Sequence, residues 1–139
     1  MTECIFCKII SNEIPSVKVY EDGKVLAFLD IRPVNSGHVL LISKKHYANM
    51  LETPDDVLKE LVAVSKKIAP AVLKAVNASA FNLTVNNGVE AGQAVAHTHF
   101  HIIPRLAGDG HRLWSGRDYI AGEMEEIGRR VREFVKESF

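Results

Sequence analysis

The stretch His97-Thr98-His99-Phe100-His101-Ile102-Ile103 carries a histidine at every second position, and Pro104 follows it. In an extended strand, the side chains at i, i+2 and i+4 point to one face, about 6 to 7 Å apart. The pattern therefore predicts a strand with three imidazoles on one face and apolar or small side chains on the other. Because proline cannot donate to a central ladder, we expect this strand to stop at Pro104.

Three interpretations of this histidine face compete. Polar side chains on a solvated strand face would need no function, but three histidines in register rarely arise from composition alone. A His-x-His pair on a strand can instead supply two ligands to zinc. Alternatively, the imidazoles can act themselves, as a nucleophile and as an acid or base. Other parts of the chain are needed to choose among these interpretations.

Length and composition indicate one globular domain. The chain has 139 residues, of which 47% are hydrophobic and 24% are charged, so it can bury a sizeable core. Seventeen basic residues balance 17 acidic ones, and this balance gives no sign of nucleic acid as a partner. No apolar run approaches the length of a membrane span. We therefore expect a single domain over residues 1–139 that binds neither nucleic acid nor membranes.

The amino-terminal residues favour a reducing compartment. Met1-Thr2-Glu3-Cys4 lacks the basic segment and apolar stretch of a secretory signal peptide. Cys4 and Cys7 are the only cysteines, and two cysteines three positions apart make a poor disulfide framework. We therefore expect a cytoplasmic protein.

Hydrophobic periodicity predicts about five strands and at least two helices. Alternating or continuous apolar runs predict strands at residues 17–20, 25–29, 38–43, 81–85 and 97–103. Helical spacing is found in the segments 4–10, 54–76 and 120–135. Strands joined by hairpins ahead of the longer helices favour an α+β fold, in which the helices pack on an antiparallel sheet.

The longest predicted helix has a start signal and an internal breaker. Thr53 offers a capping hydroxyl, Pro54 suits the first helical position, and two acidic residues follow in the first turn. Pro70 lies inside the apolar periodicity. We therefore expect a kink at Pro70 or a division into two helices.

These motifs together resemble those of the histidine triad (HIT) family, and in particular its Hint-like bacterial and archaeal branch. The family motif is His-x-His-x-His followed by two apolar residues, which is 97–103 here, after Asn86-Asn87-Gly88 and Gly92-Gln93. The resemblance covers nearly the whole chain, through Cys4–Ile10, Ile14-Pro15, Leu26–Ile31, Gly37-His38 and Lys44-Lys45-His46. It implies a homodimer in which two sheets join into one continuous sheet.

The family cleaves nucleoside phosphoryl bonds through a nucleotidyl-histidine intermediate, so the resemblance implies a hydrolase or transferase that acts on purine nucleoside phosphoramidates or related phosphoryl bonds. The resemblance assigns the nucleophile to the middle histidine, His99. It gives His101 a contact with the phosphate or leaving group and assistance in proton transfer, while His38 completes the polar wall. Imidazole suits nucleophilic attack because its ordinary pKa of about 6.5 leaves much of it neutral at pH 7. Attack through one ring nitrogen requires a proton on the other, which a carbonyl acceptor usually holds.

The resemblance also implies a site for a purine nucleotide of the AMP or GMP type. Asp30 resembles the family's ribose-hydroxyl acceptor, although a loop aspartate can equally be a solvated turn residue. Phosphate oxygens need donors, which the Gly92–Ala94 backbone and the side-chain amides of Gln93 and Asn86 can supply. The residues that match apolar walls around the base, or alternatively form ordinary core, include Phe6, Ile9, Ile14, Phe28 and Ile31.

A structural metal site is implied for the cysteines. Many similar family members hold zinc with two cysteines and two histidines, which correspond here to Cys4, Cys7, His46 and His97. Four protein ligands would form a closed tetrahedron and leave the other two triad histidines free for chemistry. The alternative is a pair of free thiols beside a histidine with other partners.

One position departs from the Hint pattern. Hint-branch enzymes commonly carry a serine where this chain has Ala94, and the resemblance implies that the serine hydroxyl helps an amine leaving group. Efficient cleavage of phosphoramidates is therefore open. The competing functions are hydrolysis of dinucleoside polyphosphates in the manner of the Fhit branch, a zinc-stabilised nucleotide-binding interaction module with little catalysis, and a tri-histidine metalloenzyme.

Overall fold

A five-stranded antiparallel sheet is the centre of the computed structural model, which describes residues 3–139. Its strands are β1 (Lys18–Glu21), β2 (Val25–Leu29), β3 (Val39–Ser43), β4 (Ala80–Val85) and β5 (His99–Arg105), in the spatial order β1-β2-β3-β5-β4. The helices are α1 (Ile5–Ile10), α2 (Asp55–Val76) and α3 (Glu123–Ser138). The predicted α+β fold is confirmed, whereas the signal-peptide argument rests partly on Met1 and Thr2, which lie outside the described residues.

The chain separates into two compact units, one that ends at Asp109 and one that covers Gly110–Phe139. The first unit contains the sheet, α1 and α2. In the second unit, α3 has no buried residue, and Arg129 on its surface pairs with Glu126 and Glu133. Within residues 3–139, no helix combines the length and the apolar character that crossing a bilayer requires.

Side chains alternate along the central strands and divide the core of the first unit into two layers. The layer against α2 contains Val25, Ala27, Val39, Leu41, Phe100 and Ile102. The layer that includes the α1 side chains contains Phe6, Ile9, Leu26, Phe28, Leu40 and Ile42. Because both faces of β2 and β3 are covered, their sequences are continuous apolar runs rather than alternating ones.

Strand β5 starts two residues later than the sequence predicts. His97 and Thr98 lie in the segment that precedes the strand, so only His99 and His101 lie on one strand face. His99 pairs with Ile42 and His101 with Leu40, which places both imidazoles on the α1 side of the sheet. The predicted alternation is therefore correct for two of the three histidines.

The expectation that the strand stops at Pro104 is wrong. β5 continues to Arg105, although it lies between β3 and β4. The register with β3 ends at Ile102, and beyond it the Pro104 carbonyl accepts a hydrogen bond from Asn35 Nδ2 at 2.9 Å. In a strand, the N–H and C=O of one residue point to the same side, so the missing N–H costs no bond to β4.

Helix α2 begins and continues differently from the prediction. It runs unbroken from Asp55 to Val76 through Pro70, so of the two expected outcomes, a kink or a division into two helices, the division is wrong. Proline removes one intrahelical hydrogen bond, but apolar side chains on both sides of it anchor the helix to the sheet. Thr53 does not cap the helix, because its hydroxyl lies 2.6 Å from Thr98 Oγ1 and donates to the Asn49 carbonyl at 2.8 Å.

Gly37 allows the chain to turn tightly into His38 and β3. Its φ of +90° lies in the region that favours glycine, and an added Cβ would lie 2.8 Å from Val76 Cγ1 and 3.3 Å from Pro104 Cγ. Pro104 is buried and Val76 is half-buried, so the added Cβ would force a shift of one of these side chains or of the backbone. The position of His38 therefore depends on a residue without a side chain.

Replacing this glycine tests that dependence. Gly37→Ala should lower the free energy of unfolding by about 2 kcal/mol, because it adds left-handed backbone strain to overpacking. Gly23→Ala is the matched control, since no heavy atom lies within 4 Å of its added Cβ. The control should change stability by no more than about 0.5 kcal/mol. Urea unfolding followed by circular dichroism measures both, and equal losses would contradict this explanation.

Candidate functional site

Five of the six histidines lie close together in two groups. We call them the histidine pocket (His38, His99 and His101) and the cysteine cluster (Cys4, Cys7, His46 and His97). The ring of Phe6 lies between them, with its centroid 5.0 Å from that of His99 and 5.8 Å from that of His97. The sequence prediction of separate catalytic and metal-ligating sets thus corresponds to two adjacent sets in space.

The main chain fixes one ring nitrogen of His99. Nδ1 lies 2.6 Å from the His97 carbonyl oxygen, and a carbonyl can only accept, so Nδ1 carries the proton. In the neutral ring the lone pair is then on Nε2. Burial lowers the pKa of His99, although the hydrogen bond to His97 and the charge of Asp30 oppose this shift. The buried ring, only 6% exposed, therefore favours the neutral form that nucleophilic attack requires.

A chain of hydrogen bonds fixes the protons of the other two rings. The Val34 N–H donates to His38 Nδ1 at 3.1 Å, so the single proton of neutral His38 is on Nε2. His38 Nε2 lies 2.9 Å from His101 Nδ1. His38 must therefore donate and His101 must accept, which puts the proton of His101 on its Nε2. Burial lowers the pKa of His38 despite the nearby Asp30, in agreement with the neutral form.

His101 presents a donor that no described residue uses. Its Nε2 is buried and has no hydrogen-bond partner within residues 3–139. Burial, followed by the proximity of His99 and His38, lowers the pKa of His101 to about 4. A buried donor without a partner costs about 1–3 kcal/mol, and a ligand with an acceptor oxygen would remove that cost.

Asp30 lies beside the histidine pocket, whereas Ile31 does not contribute to an apolar wall. One carboxylate oxygen of Asp30 accepts from the Arg32 N–H at 2.8 Å, and the other lies 3.8 Å from His38 Nε2. The second oxygen can therefore accept a hydroxyl. Ile31 is 92% exposed and belongs to neither core layer, so the wall expected from it is not formed within this chain.

The other predicted wall residues are mainly core. Ile9 and Phe28 are buried in the α1 layer, and Ile14 packs against it. Phe6 also belongs to this layer and makes edge contacts with Phe28 and with His99. Phe6 thus touches the histidine pocket through its ring, whereas the contacts of Ile9, Ile14 and Phe28 place them in or against the core layer.

Gln93 holds the loop that precedes the triad. Its Nε2 donates to the Ala48 carbonyl at 2.7 Å and to the Val95 carbonyl at 3.0 Å, and its Oε1 accepts from the Gly88 N–H at 2.9 Å. Both amide hydrogens are therefore used within the protein. The expectation that this side chain donates to a phosphate is not met in this conformation, because the amide instead ties two loops together.

Other donors in the same loop have no partner in the part of the chain that the structure describes. Among residues 3–139, the backbone N–H groups of Ala94, Val95 and Ala96 and the side-chain amide of Asn86 make no hydrogen bond. Gly92 has a φ of +86° and adopts the left-handed turn that leads into this segment. Ala94 to Ala96 line a cavity together with Cys4 and His46, beside the cysteine cluster.

The cysteine cluster has the dimensions of a tetrahedral metal site. Cys4 Sγ lies 3.4 Å from His97 Nδ1, Cys7 Sγ lies 3.4 Å from His46 Nδ1, and the two Nδ1 atoms are 3.2 Å apart. Zinc bonds of about 2.3 Å to sulfur and about 2.05 Å to nitrogen give tetrahedral edges of about 3.6 Å for S···N and about 3.3 Å for N···N. The four predicted ligands are thus in place to hold a metal.

The positions of the ring protons distinguish the cysteine cluster from a second group of possible metal ligands. His97 Nε2 donates to the Ser43 carbonyl at 2.6 Å, which leaves the Nδ1 lone pair for a metal. Asp30, His38 and His101 also lie close together. In that group, however, Val34 occupies His38 Nδ1, so Nε2 carries a proton and has no lone pair to give. The proton positions therefore favour a metal in the cysteine cluster alone.

Three groups that orient these histidines were not predicted from the sequence. The Val34 N–H and the Ser43 carbonyl belong to the main chain, so no residue type marks them. Thr98 donates its backbone N–H to the Tyr47 carbonyl at 2.8 Å and thereby holds the chain next to His46. Its position between two triad histidines was the one available signal.

Comparisons with known proteins agree on one family. The family model of the HIT domain matches residues 11–108. The HIT-like protein MJ0866 of Methanocaldococcus jannaschii is 55% identical over 77% of this chain and 82% of its own length. Adenylylsulfatase HINT3 of Arabidopsis thaliana is 47% identical, over 81% of this chain and 56% of that protein. Adenosine 5'-monophosphoramidase HNT1 of Candida albicans is 44% identical, over 96% and 90%.

Solved structures give the same result. SMU.412c from Streptococcus mutans has a TM-score of 0.90 and 40% identity, over 100% of this chain and 87% of that one. A zinc-bound histidine triad family protein from Mycobacterium smegmatis has a TM-score of 0.75 and 34% identity, over 99% of both chains. From the matched HIT domain, these relatives and the shared fold, we conclude that the chain belongs to the HIT family.

Proposed function

We propose that this protein is a nucleotide-binding hydrolase or transferase that cleaves a phosphoryl bond of purine nucleotides through a nucleotidyl-histidine on His99. One observation carries the proposal: the His97 carbonyl holds the proton of His99 Nδ1 at 2.6 Å, so the Nε2 lone pair is available. Relatives named as an adenylylsulfatase and an adenosine 5'-monophosphoramidase support adenine nucleotides as the substrate class.

The reaction has two steps. His99 Nε2 attacks the phosphorus that bears the nucleoside, the leaving group departs, and water then attacks the nucleotidyl-histidine. As the P–N bond forms, the imidazole becomes positively charged, and the His97 carbonyl stabilises that charge through Nδ1. The Nε2–H of His101 donates to an oxygen of the phosphoryl or leaving group, and His38 keeps that proton in place.

The remaining binding groups are assigned because each has a hydrogen-bond donor or acceptor left for a ligand. Asp30 has a carboxylate oxygen that can accept a ribose hydroxyl. The Asn86 amide and the N–H of Ala94 can donate to phosphate oxygens, and Gly92 supplies the turn between them. Phe6 borders the base site from α1. These contacts orient a nucleotide without reading its base edge, which agrees with a loose purine preference.

Replacing the nucleophile tests the proposal. His99→Ala should lower kcat by at least about 10⁴-fold, because removal of the attacking group leaves only binding. Nucleotide affinity and melting temperature should change little. Rapid acid-free quenching and peptide mass spectrometry should find a nucleotidyl group on His99 of the unmodified protein. His111→Ala, a histidine substitution outside both groups, is the control and should retain turnover and adduct.

Two other outcomes would redirect the interpretation. Unchanged turnover in His99→Ala would remove this mechanism, and absent turnover in the unmodified protein would favour a nucleotide-binding interaction module. A dinucleoside polyphosphate that competes better than mononucleotide substrates would instead favour the Fhit-like activity.

We propose further that the cysteine cluster holds a structural zinc ion. The S···N and N···N distances, the free Nδ1 of His97 and the Cys7 N–H directed at Cys4 Sγ at 3.5 Å support this assignment. A zinc-bound relative of the same fold supports it independently. With four protein ligands, the ion would contribute folding free energy and leave the chemistry to the histidine pocket.

Removing one ligand tests the metal assignment. Cys7→Ser should reduce bound zinc, measured by plasma mass spectrometry, from about one ion per chain to less than about 0.1, and should lower Tm by about 10 °C. Glu3→Gln, an exposed change next to Cys4, should alter neither. If a chelator abolishes turnover while the chain stays folded, the zinc is catalytic and the tri-histidine metalloenzyme replaces this proposal.

We also propose that two chains pair through β4. This strand lies at the sheet edge and exposes Phe81 and Leu83, each by 40%, so antiparallel pairing would continue the sheet and cover apolar area. Sedimentation should give twice the 15.4 kDa chain mass. Leu83→Lys should weaken the dimer by about tenfold or more, whereas Val19→Lys, on the opposite edge strand, should not.

A further inference from the structure

The hydrogen bonds of the histidine pocket limit the number of protons that it can hold. The Val34 N–H occupies His38 Nδ1, and the His38 Nε2–H occupies His101 Nδ1. Each ring therefore carries one proton, and the proton on His101 Nε2 is the one without a partner among the described residues. A second proton on His101 would have to sit on Nδ1, where it would face the proton of His38.

The surroundings of His101 also oppose a positive charge. The ring centroids of His99 and His38 lie 5.0 Å and 5.2 Å from that of His101. Asp30 is the anion that acts on it, but burial and the two imidazoles outweigh this carboxylate and lower the pKa of His101 to about 4. A neutral imidazole N–H donates a hydrogen bond well, yet it is a far weaker acid than an imidazolium.

No other acidic donor compensates for this neutral ring. Position 94 carries a methyl group, and the other groups assigned to the phosphate are amide N–H donors, which do not release protons at neutral pH. The pocket can therefore stabilise negative charge that develops on a departing atom. Among the described residues assigned to it, none is an acid that readily gives a whole proton to a departing base.

We infer that this enzyme prefers nucleotidyl substrates whose leaving group departs as an anion over phosphoramidates, whose amine must gain a proton to leave. The preferred class comprises mixed anhydrides of a nucleoside monophosphate with sulfate, carboxylate or phosphate. The inference rests on the proposed function of His99. Sequence identity alone does not distinguish these two substrate classes, because the relative named as an adenylylsulfatase is 47% identical and the one named as a monophosphoramidase is 44% identical.

The reaction of an adenylyl sulfate balances without an added acid. The His99 Nε2 lone pair forms the P–N bond while the P–O bond to sulfate breaks, and sulfate leaves as a dianion with the bonding pair. The His101 Nε2–H donates a hydrogen bond to the departing oxygen and keeps its proton. Water then attacks phosphorus, the P–N bond breaks, and the protons of water pass to the phosphate product and to solvent.

Kinetic comparison of two substrates tests the inference. For the purified, unmodified protein, kcat/KM for adenylyl sulfate should exceed that for adenosine 5'-phosphoramidate by at least about 100-fold. This factor is the lower end of what general-acid catalysis contributes. Equal or better use of the phosphoramidate would overturn the inference and leave the proposed function intact. Absence of turnover and of adduct with both substrates would instead reject the proposed function.

Nitrogen-15 NMR of labelled histidines tests the proton positions directly. At pH 7, His101 should be neutral with its proton on Nε2, and an imidazolium or an Nδ1 proton would overturn the inference. His38→Ala should release His101 into a mixture of tautomers and lower kcat/KM for adenylyl sulfate by about tenfold. His38→Gln can donate an amide hydrogen from a similar position and should restore the single tautomer and most of the rate. A purely structural role for His38 would change melting without changing the tautomer.

Discussion

A single residue, His97, connects the two sites of this protein. Its backbone carbonyl holds the proton of the His99 ring, while its own ring donates to the Ser43 carbonyl and turns its lone pair toward the cysteines. The orientation of the nucleophile and the orientation of a metal ligand are therefore set by one short piece of backbone. This is possible because His97 lies ahead of β5, where its carbonyl bonds to the His99 ring instead of to a neighbouring strand.

Helix α1 depends on the same arrangement. A helix of six residues is too short to be stable by itself, so it needs tertiary anchors. Phe6 and Ile9 pack into the core layer, and Cys7 reaches His46 and His97. The ring that borders the nucleophile and the sulfur atoms of the cluster thus lie on one small element. Whatever stabilises the cluster also fixes the wall of the histidine pocket.

The features that follow from side-chain pattern could be predicted from sequence. The alternation that puts His99 and His101 on one face and the buried β2 and β3 runs belong to this class, whereas the ligand set of the cysteine cluster came from the family resemblance. Features made by the main chain could not be predicted. The Val34 donor lies only four residues from His38, whereas Pro104 in β5 is bonded by Asn35 from 69 residues away; in both cases the group concerned is a backbone N–H or C=O that no residue type marks. The Gln93 amide shows the same limit, since its residue type suits a phosphate and a carbonyl equally well.

The loop between β2 and β3 is fastened at both ends, and this has a consequence for how such proteins can diversify. Asp30 bonds to the His38 carbonyl at one end, and Asn35 reaches the Pro104 carbonyl and Asp109 at the other. An insertion between Val34 and His38 would break the hydrogen bond that fixes the proton of His38, and with it the proton order of the pocket. New ligand preferences are therefore easier to acquire in segments that are not held by such hydrogen bonds. The length of this loop is a simple marker of whether the same proton order can exist in another chain.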